Sequence, residues 1–459
     1  MVFATCWIGY FGALQWSVVR FRLQIVLILT ACALALAWWL LRRRPLHLTP
    51  LGVGIALVGS AIATMTVPLF SYLEPRTEFL NRATFALAAL AVGGALAARR
   101  SVAAMVIVVA SYVAIAATTI VGDPAPKIDV WVTLQQASDA LVRGENFYAM
   151  TWINSPGIQD AFTYLPWTTV LLAPGRWIAG DVRWAQLVWT LVLAFGCYLL
   201  ARGPDRRFGA RPAEAMWRAS AVVALLLFAP GTITQIDQAW TEPLLLAGIV
   251  WWALLVHRGQ PWWAIIPLAL ACASKQHLAV IALLVMFWRP FGWQRTLATG
   301  ALTGALISPW VLASPRDFFH DTLTLLVNFH PIRFANTWYL VALNRYDVTL
   351  PFWLTGLVVL GAVAVAVGVV ARRQPPLPEL LRWMALVLLV SNLVNKQAFY
   401  NQFWLSGGLI ALSFLTAPAT DPAPAPAQAT DPAPAVPTRW RNARTAVGVA
   451  PSRTPRSPG

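Results

Sequence analysis

The chain has 459 residues, of which 58% are hydrophobic and 11% charged, with 24 Trp and a formal net charge of +16. Water-soluble domains place charge on about a quarter of their residues, so an aqueous globular enzyme is excluded and an all-α polytopic membrane protein of about 12–14 transmembrane helices is implied. Among 34 basic residues only Lys127, Lys275 and Lys396 are lysines, and the arginines gather at the ends of apolar runs, where they set topology rather than bind nucleic acid.

Residues 1–121 are predicted to be amino-terminal transmembrane helices. Met1 to Val19 is apolar but short and is separated from the next run by Arg20 and Arg22, so it reads as a first span or as an interfacial helix. It lacks the small-residue cleavage site of a signal peptide. Runs long enough to span follow near 23–41, 51–71, 83–98 and 102–121.

Residues 122–182 are predicted to be an outward loop. Apolar residues at 130, 134, 137, 141 and 142 have helical spacing, which predicts an amphipathic helix on the membrane surface. Phe162 to Gly180 is apolar enough to enter the bilayer, yet a full crossing would place the following arginines outside. It is therefore predicted to be a half-span or interfacial helix interrupted at Pro174-Gly175.

The transmembrane core, 183–416, is predicted to contain runs near 184–201, 218–233, 242–256, 261–274, 276–288, 296–313, 352–371, 381–395 and 401–416, with an outer loop at 314–351. Arg42 to Arg44, Arg99-Arg100, the group from Arg202 to Arg218, Arg258, Arg289 with Arg295, and Arg372-Arg373 mark cytoplasmic ends, and all three lysines fall on the other side. The four cysteines lie inside apolar stretches and imply neither a disulfide framework nor a zinc site. From 417 to 459 Pro, Ala and Thr dominate, the heptapeptide at 419–425 recurs at 429–435, and five arginines follow. Such a segment buries nothing and is predicted to be a disordered cytoplasmic tail near anionic lipid.

Ionisable and amide residues at outward helix ends carry the functional signal, because charge there is costly without a task. Asp129 starts the amphipathic helix, where it serves either as its cap or as a general base near lipid. Tyr148 and Tyr164 stand in aromatic segments, the second in a Tyr-Leu-Pro turn. Gln235, Asp237 and Glu242 follow, with Glu242 beside Pro243 suited to a helix start. Lys275, Gln276 and His277 form a turn able to neutralise a phosphate or merely to snorkel, and a second lysine–glutamine pair recurs at Lys396-Gln397. The loop 314–351, holding His330, Arg333 and two of the five histidines, reads as a site for something anionic and hydroxyl-rich.

Taken in order, Asp129 after an early span, Gly144-Glu145-Asn146-Phe147-Tyr148, Phe162-Thr163-Tyr164-Leu165-Pro166, the Gln-Ile-Asp stretch and Ala273-Ser274-Lys275-Gln276 resemble the GT-C superfamily of glycosyltransferases. The nearest likeness is to polyprenyl-phosphate-mannose-dependent mannosyltransferases of high-GC bacteria. Phe147 stands where that pattern has proline, Leu165 separates Tyr164 from Pro166, and four apolar runs precede Asp129.

The resemblance implies a multi-pass enzyme of the cell membrane with an extracytoplasmic site. It would move a sugar from a polyprenyl-phosphate donor to a glycolipid or cell-envelope glycan acceptor with inversion. Asp129 would be the base, with Asp160 in reserve. Lys275, aided by His277, His330 or Arg333, would meet the donor phosphate. Tyr148, Tyr164, Gln235, Asp237, Glu242, Gln276, Lys396 and Gln397 would bind substrate. Neither a cofactor nor a metal is called for. The alternative is a transporter or flippase of lipid-linked intermediates, for which many spans and a broken helix are equally natural.

Overall fold

A computed structural model describes residues 2–17, 20–43, 46–203 and 212–416. The expected tail at 417–459 and the arginines at 44, 206, 207 and 211 lie outside the described residues. Among the described residues the fold is all-helical.

The first five helices are α1 (Val2–Trp16), α2 (Leu23–Leu41), α3 (Pro50–Thr66), α4 (Pro75–Ala97) and α5 (Ser101–Gly122). A second layer holds α6 (Asp129–Arg143) and α7 (Trp167–Ala179). The core then runs through α8 (Val182–Arg202), α9 (Pro212–Leu227), α10 (Thr232–Asp237), α11 (Glu242–His257), α12 (Ile265–Cys272), α13 (Ala279–Met286) and α14 (Gly292–Ala313). Short helices α15 (Pro315–Phe319), α16 (Leu325–Asn328) and α17 (Trp338–Tyr346) precede α18 (Phe352–Arg373), α19 (Leu377–Val394) and α20 (Tyr400–Leu412).

Helix starts follow local chemistry. Thr49 accepts from the Gly52 amide at 3.1 Å ahead of Pro50, and Asp181 accepts from the Arg183 amide at 2.8 Å, each satisfying an otherwise free first-turn donor. Gly144 and Gly180 close α6 and α7 with φ of +68° and +80°, the left-handed geometry that glycine adopts without strain.

Burial separates the helices into two kinds. α9, α11, α19 and α20 are buried around most of their circumference and form the axis of the bundle. By contrast, α14 buries only Thr296 and Thr299, and α18 only Val363, Ala366 and Val370. Long apolar helices with bare apolar flanks are stable when hydrocarbon is the solvent, and several helices of this molecule are accordingly membrane-inserting.

Seven helices among the described residues are long and apolar enough to cross a bilayer: α2, α4, α5, α8, α14, α18 and α19. Against the 12–14 expected, these seven are the helices of at least 18 residues, and shorter apolar helices lie at Pro50–Thr66, Glu242–His257 and Gln276–Met286. The runs at 261–274 and 276–288 shrink to α12 and α13, eight residues each, or about 12 Å of rise against about 30 Å of hydrocarbon. α1, for which the sequence left two readings open, is a buried helix: Tyr10 donates to the Phe403 carbonyl (2.7 Å), and Gln15 donates to the carbonyls of Ala63 and Val67.

The amphipathic helix expected after residue 122 is α6, but its buried face is rotated. Val142 is 68% exposed, while Thr133, Gln135 and Ser138 are buried. Gln135 explains the rotation, since it donates to the Gly180 carbonyl and accepts from the Val182 amide, stitching the α7–α8 junction. Helix α7 is not interrupted at Pro174-Gly175 and continues to Ala179. Gly175 is required for another reason: a Cβ there would lie 2.6 Å from the Ala185 amide nitrogen of α8. The start of α7 docks on the carbonyls of Ala273 and Ser274, and Arg176 near its end pairs with Asp139 of α6.

Candidate functional site

Asp129 is the first residue of α6, with Ile128 in the capping position. Its Oδ1 accepts from the Val130 amide at 2.9 Å, so the carboxylate does satisfy a helix-start donor. Oδ2 makes no hydrogen bond among the described residues and faces Gly157, where a Cβ would lie 3.3 Å from it. Burial pushes the Asp129 carboxyl above the usual aspartate range, against the opposing pull of the Val130 amide. A half-hidden carboxyl with one free oxygen and a raised pKa has the attributes of a general base.

The Tyr-Leu-Pro turn has a structural cause. Leu165 and Trp167 donate their amides to the carbonyls of Ser274 and Ala273, and Thr168 Oγ1 donates to the Ser274 carbonyl at 2.5 Å. The turn thereby docks on the end of α12 and holds the Tyr164 ring centroid 5.2 Å from Lys275 Nζ, a cation–π distance. Burial raises the Tyr164 phenol well above its ordinary value, and the carboxylates of Asp129 and Glu242 raise it further. Tyr164 therefore lies within electrostatic reach of both acids.

Lys275 is ion-paired with Glu242, whose other neighbour is Asn401, donating Nδ2 to Oε1 at 2.9 Å. Glu242 Oε2 is buried and has no partner. The same segment leaves Thr234 Oγ1, Gln235 Nε2, Asp237 Oδ1, Gln238 Oε1 and Thr241 Oγ1 buried without hydrogen-bond partners. Unpaired buried polar atoms cost about 1–3 kcal/mol each, so this segment carries more unmet hydrogen-bonding capacity than packing alone calls for.

Arg183 anchors this region from behind. Fully buried, it donates to Asp181 Oδ2 (2.7 Å) and to the Asp123 carbonyl (2.6 Å) and stands 3.9 Å from Asp237 Oδ1. Asp237 also accepts from the Tyr72 amide at 2.9 Å. Burial, with Asp123 alongside, raises the Asp237 carboxyl to about 6, opposed by the Tyr72 amide and Arg183.

No family model matches this chain, and no curated protein matches it.

The expected site residues divide into those that converge and those that do not. Asp129, Tyr164, Glu242 and Lys275 converge, with Gln235 and Asp237 in the adjoining segment. His277 follows in the same turn, with Nε2 buried and unpartnered. Gln276 instead braces backbone, donating to the carbonyls of Thr163 (2.9 Å) and Thr322 (3.2 Å). Tyr148 donates to the Tyr164 carbonyl at 2.7 Å, a positioning contact. Lys396 donates to the carbonyls of Val327 and Phe329, both at 2.6 Å, and so holds the long loop instead of an anion, while the Gln397 backbone amide donates to Asn395 Oδ1. His330 is exposed and stacked on Phe329, and Arg333 is exposed with its carbonyl bound by Asn344. Neither touches Lys275 or Glu242. Asp160 is exposed and lines a separate polar cavity.

Sequence reasoning missed Asp123, Asp181, Arg183 and Tyr72. A signal for Arg183 was available, since it is an arginine at the end of the chain's helices where arginines are otherwise few. Among the described residues no group of three or more His, Cys, Asp or Glu side chains is arranged to hold a metal ion.

An apolar groove of about 580 Å³ lies against α8, α11 and α12. Trp189 and Val192 of α8, Ala247 and Trp251 of α11, and Pro267 and Leu270 of α12 form its walls, and Gln260 and Ser274 line it before and after α12. Ser274 immediately precedes Lys275 in the chain, while Lys275 and Glu242 themselves do not line the groove.

Proposed function

We propose that the protein is an integral membrane glycosyltransferase that moves a sugar, in the first instance mannose, from a polyprenyl-phosphate donor to a lipid or cell-envelope glycan acceptor on the extracytoplasmic face. The observation that carries this reading is the apolar groove that reaches Ser274, the residue before Lys275. A polyprenyl tail in the groove brings its phosphate to an ammonium that has three donors, one of them engaged with Glu242. The sugar then faces Tyr164 and Asp129.

In this mechanism Asp129 Oδ2 takes the proton of the acceptor hydroxyl. The hydroxyl oxygen forms a bond to the anomeric carbon from the face opposite the phosphate. The bond between that carbon and the phosphate oxygen breaks, polyprenyl phosphate departs with the electron pair, and the configuration inverts. Lys275 stabilises the charge developing on the departing oxygen in a low-dielectric setting, where one such contact is worth about 3–4 kcal/mol.

One observation favours the second reading, a transporter of lipid-linked intermediates: α12 and α13 are two short helices meeting at a polar turn, an arrangement that transporters use for binding. Reconstitution in liposomes separates the two. With labelled polyprenyl-phosphate mannose and an envelope lipid acceptor, the transferase reading expects label in the acceptor and free polyprenyl phosphate. Movement of intact donor between leaflets without bond cleavage would overturn it.

A further inference from the structure

A second cavity, also about 580 Å³, opens beside the Phe162 turn and has the opposite character, lined by Asp160, Arg316, Asp317, His320 and Asp321. One wall is the segment around Tyr148 and Asp160. The other is α15 with the π-helical turn His320–Thr324 that continues it. Such single π turns interrupt helices most often at functional sites.

The turn builds a fixed polar constellation. Asp321 is buried and its Oδ2 accepts from the Phe162 amide at 2.7 Å, which locks the carboxylate to the opposite wall. Its Oδ1 stands 3.0 Å from His320 Nδ1. A carboxylate only accepts, so Nδ1 carries the proton, which leaves Nε2 as the ring nitrogen free to meet a ligand. The carboxylate is 2% exposed and the imidazole 49%, so the ring is the member of the pair open to a ligand. Ser314 Oγ donates to Asp317 Oδ2 at 2.5 Å, holding that second carboxylate with Oδ1 unengaged. Arg316 makes no ion pair among the described residues and is exposed.

The charge balance decides the ligand class. Three carboxylates face one guanidinium, which repels phosphate and other anions. Carboxylates accept from hydroxyls, imidazole Nε2 exchanges a hydrogen bond with a hydroxyl, Arg316 donates to hydroxyl or ring oxygens, and Phe319, 51% exposed, offers an apolar face to sugar C–H groups. The volume falls within the roughly 300–1,000 Å³ of small-molecule pockets.

We infer that this cavity is a saccharide subsite that takes the neutral, hydroxyl-rich end of the glycosyl acceptor. The assignment rests on the transferase reading for the word acceptor alone. Tyr148 links the two sites, since it lines this cavity and donates to the carbonyl of Tyr164, whose ring meets Lys275.

The test is saturation-transfer NMR on the purified full chain in detergent micelles, using methyl glycosides of mannose, glucose, galactose and arabinose, with mannose 6-phosphate as the anionic probe. At least one neutral glycoside is expected to receive saturation. Its affinity should fall about tenfold in His320→Ala and in Asp317→Asn, the loss of a charge-assisted hydrogen bond, and persist in Asp129→Asn. Arg316→Ala, at an exposed position, replaces either variant that does not fold. No signal from any neutral glycoside, an unchanged signal in the variants, or preferred binding of the phosphate would overturn the subsite. Binding of a neutral glycoside together with full transfer activity in Asp129→Asn would instead remove the catalytic reading and leave the subsite standing.

Discussion

Replacing Asp129 with Asn separates a catalytic role from a structural one, because the substitution keeps the oxygen that accepts from the Val130 amide and removes only the base. Asn is nearly isosteric, keeps an oxygen for the Val130 amide (2.9 Å in the wild type) and does not enlarge the side chain facing Gly157. What it removes is the basic oxygen. A general base contributes about 10²–10⁴-fold, equivalent to about 3–5 kcal/mol of transition-state stabilisation, so transfer of label from polyprenyl-phosphate mannose should fall at least about a hundredfold. Stability should move the other way. Burial raises the Asp129 carboxyl, so the folded state binds its proton more readily than the unfolded state does. Above that raised value the buried carboxylate is a cost to the fold, and the cost disappears as pH falls through it. The substituted amide imitates the neutral form, hence the variant should be at least as stable as the wild type at pH 7, with the difference shrinking toward acidic pH. In the wild type the acid limb of kcat/KM should lie above the ordinary aspartate range. Parallel transfer assays and thermal unfolding in detergent from pH 4 to 8 supply the data. Full activity in Asp129→Asn would refute the base, and a fold weakened at pH 7 with activity intact would show that Asp129 is only a helix-start residue.

Three further outcomes follow from the packing. Lys275→Met leaves Glu242 with Asn401 as its one donor, which should cost about 3–5 kcal/mol, and the double variant Lys275→Met/Glu242→Gln should recover most of that loss in thermal unfolding. Gly231→Ala should prevent stable folding, by about 3 kcal/mol or more, because φ is +91° and the added Cβ collides with the Tyr400 ring, itself fixed by donation to the Pro230 carbonyl; expression level and elution profile report it. Val192→Trp, on a half-buried groove wall, should raise KM for the lipid donor about tenfold without altering thermal unfolding, whereas an unchanged KM would place the lipid tail elsewhere.

Much of the site's composition was legible in the sequence, because charge inside an apolar chain stands out against its neighbours. Asp129, Glu242 and Lys275 were conspicuous for that reason and Tyr164 for its Tyr-Leu-Pro turn, and the structure sets Tyr164 within electrostatic reach of the other three. Their division of labour was not legible. Lys396-Gln397 repeats the dipeptide Lys275-Gln276, yet Lys396 and Gln276 hold backbone carbonyls, since a recurring dipeptide says nothing of which partner lies across the bundle. His330 and Arg333, equally polar in sequence, remain at the surface.

Composition and apolar periodicity by themselves determined that this is a helical, membrane-inserting chain with an amphipathic helix after α5 and ionisable or amide residues set apart at the helix ends near 129, 242 and 275. These properties are local or additive: a residue's hydropathy and helical spacing do not depend on distant neighbours. Only the tertiary structure decided that Arg183 is a buried anchor, that α6 turns Gln135 and Ser138 inward, that α12 and α13 shorten to eight residues each, and that Asp160 shares a cavity with Asp321 and not with Asp129. Each of those outcomes depends on which surfaces meet, and pairings across tens to hundreds of residues, such as Glu242 with Asn401 or Phe162 with Asp321, are set by packing geometry that no local pattern encodes.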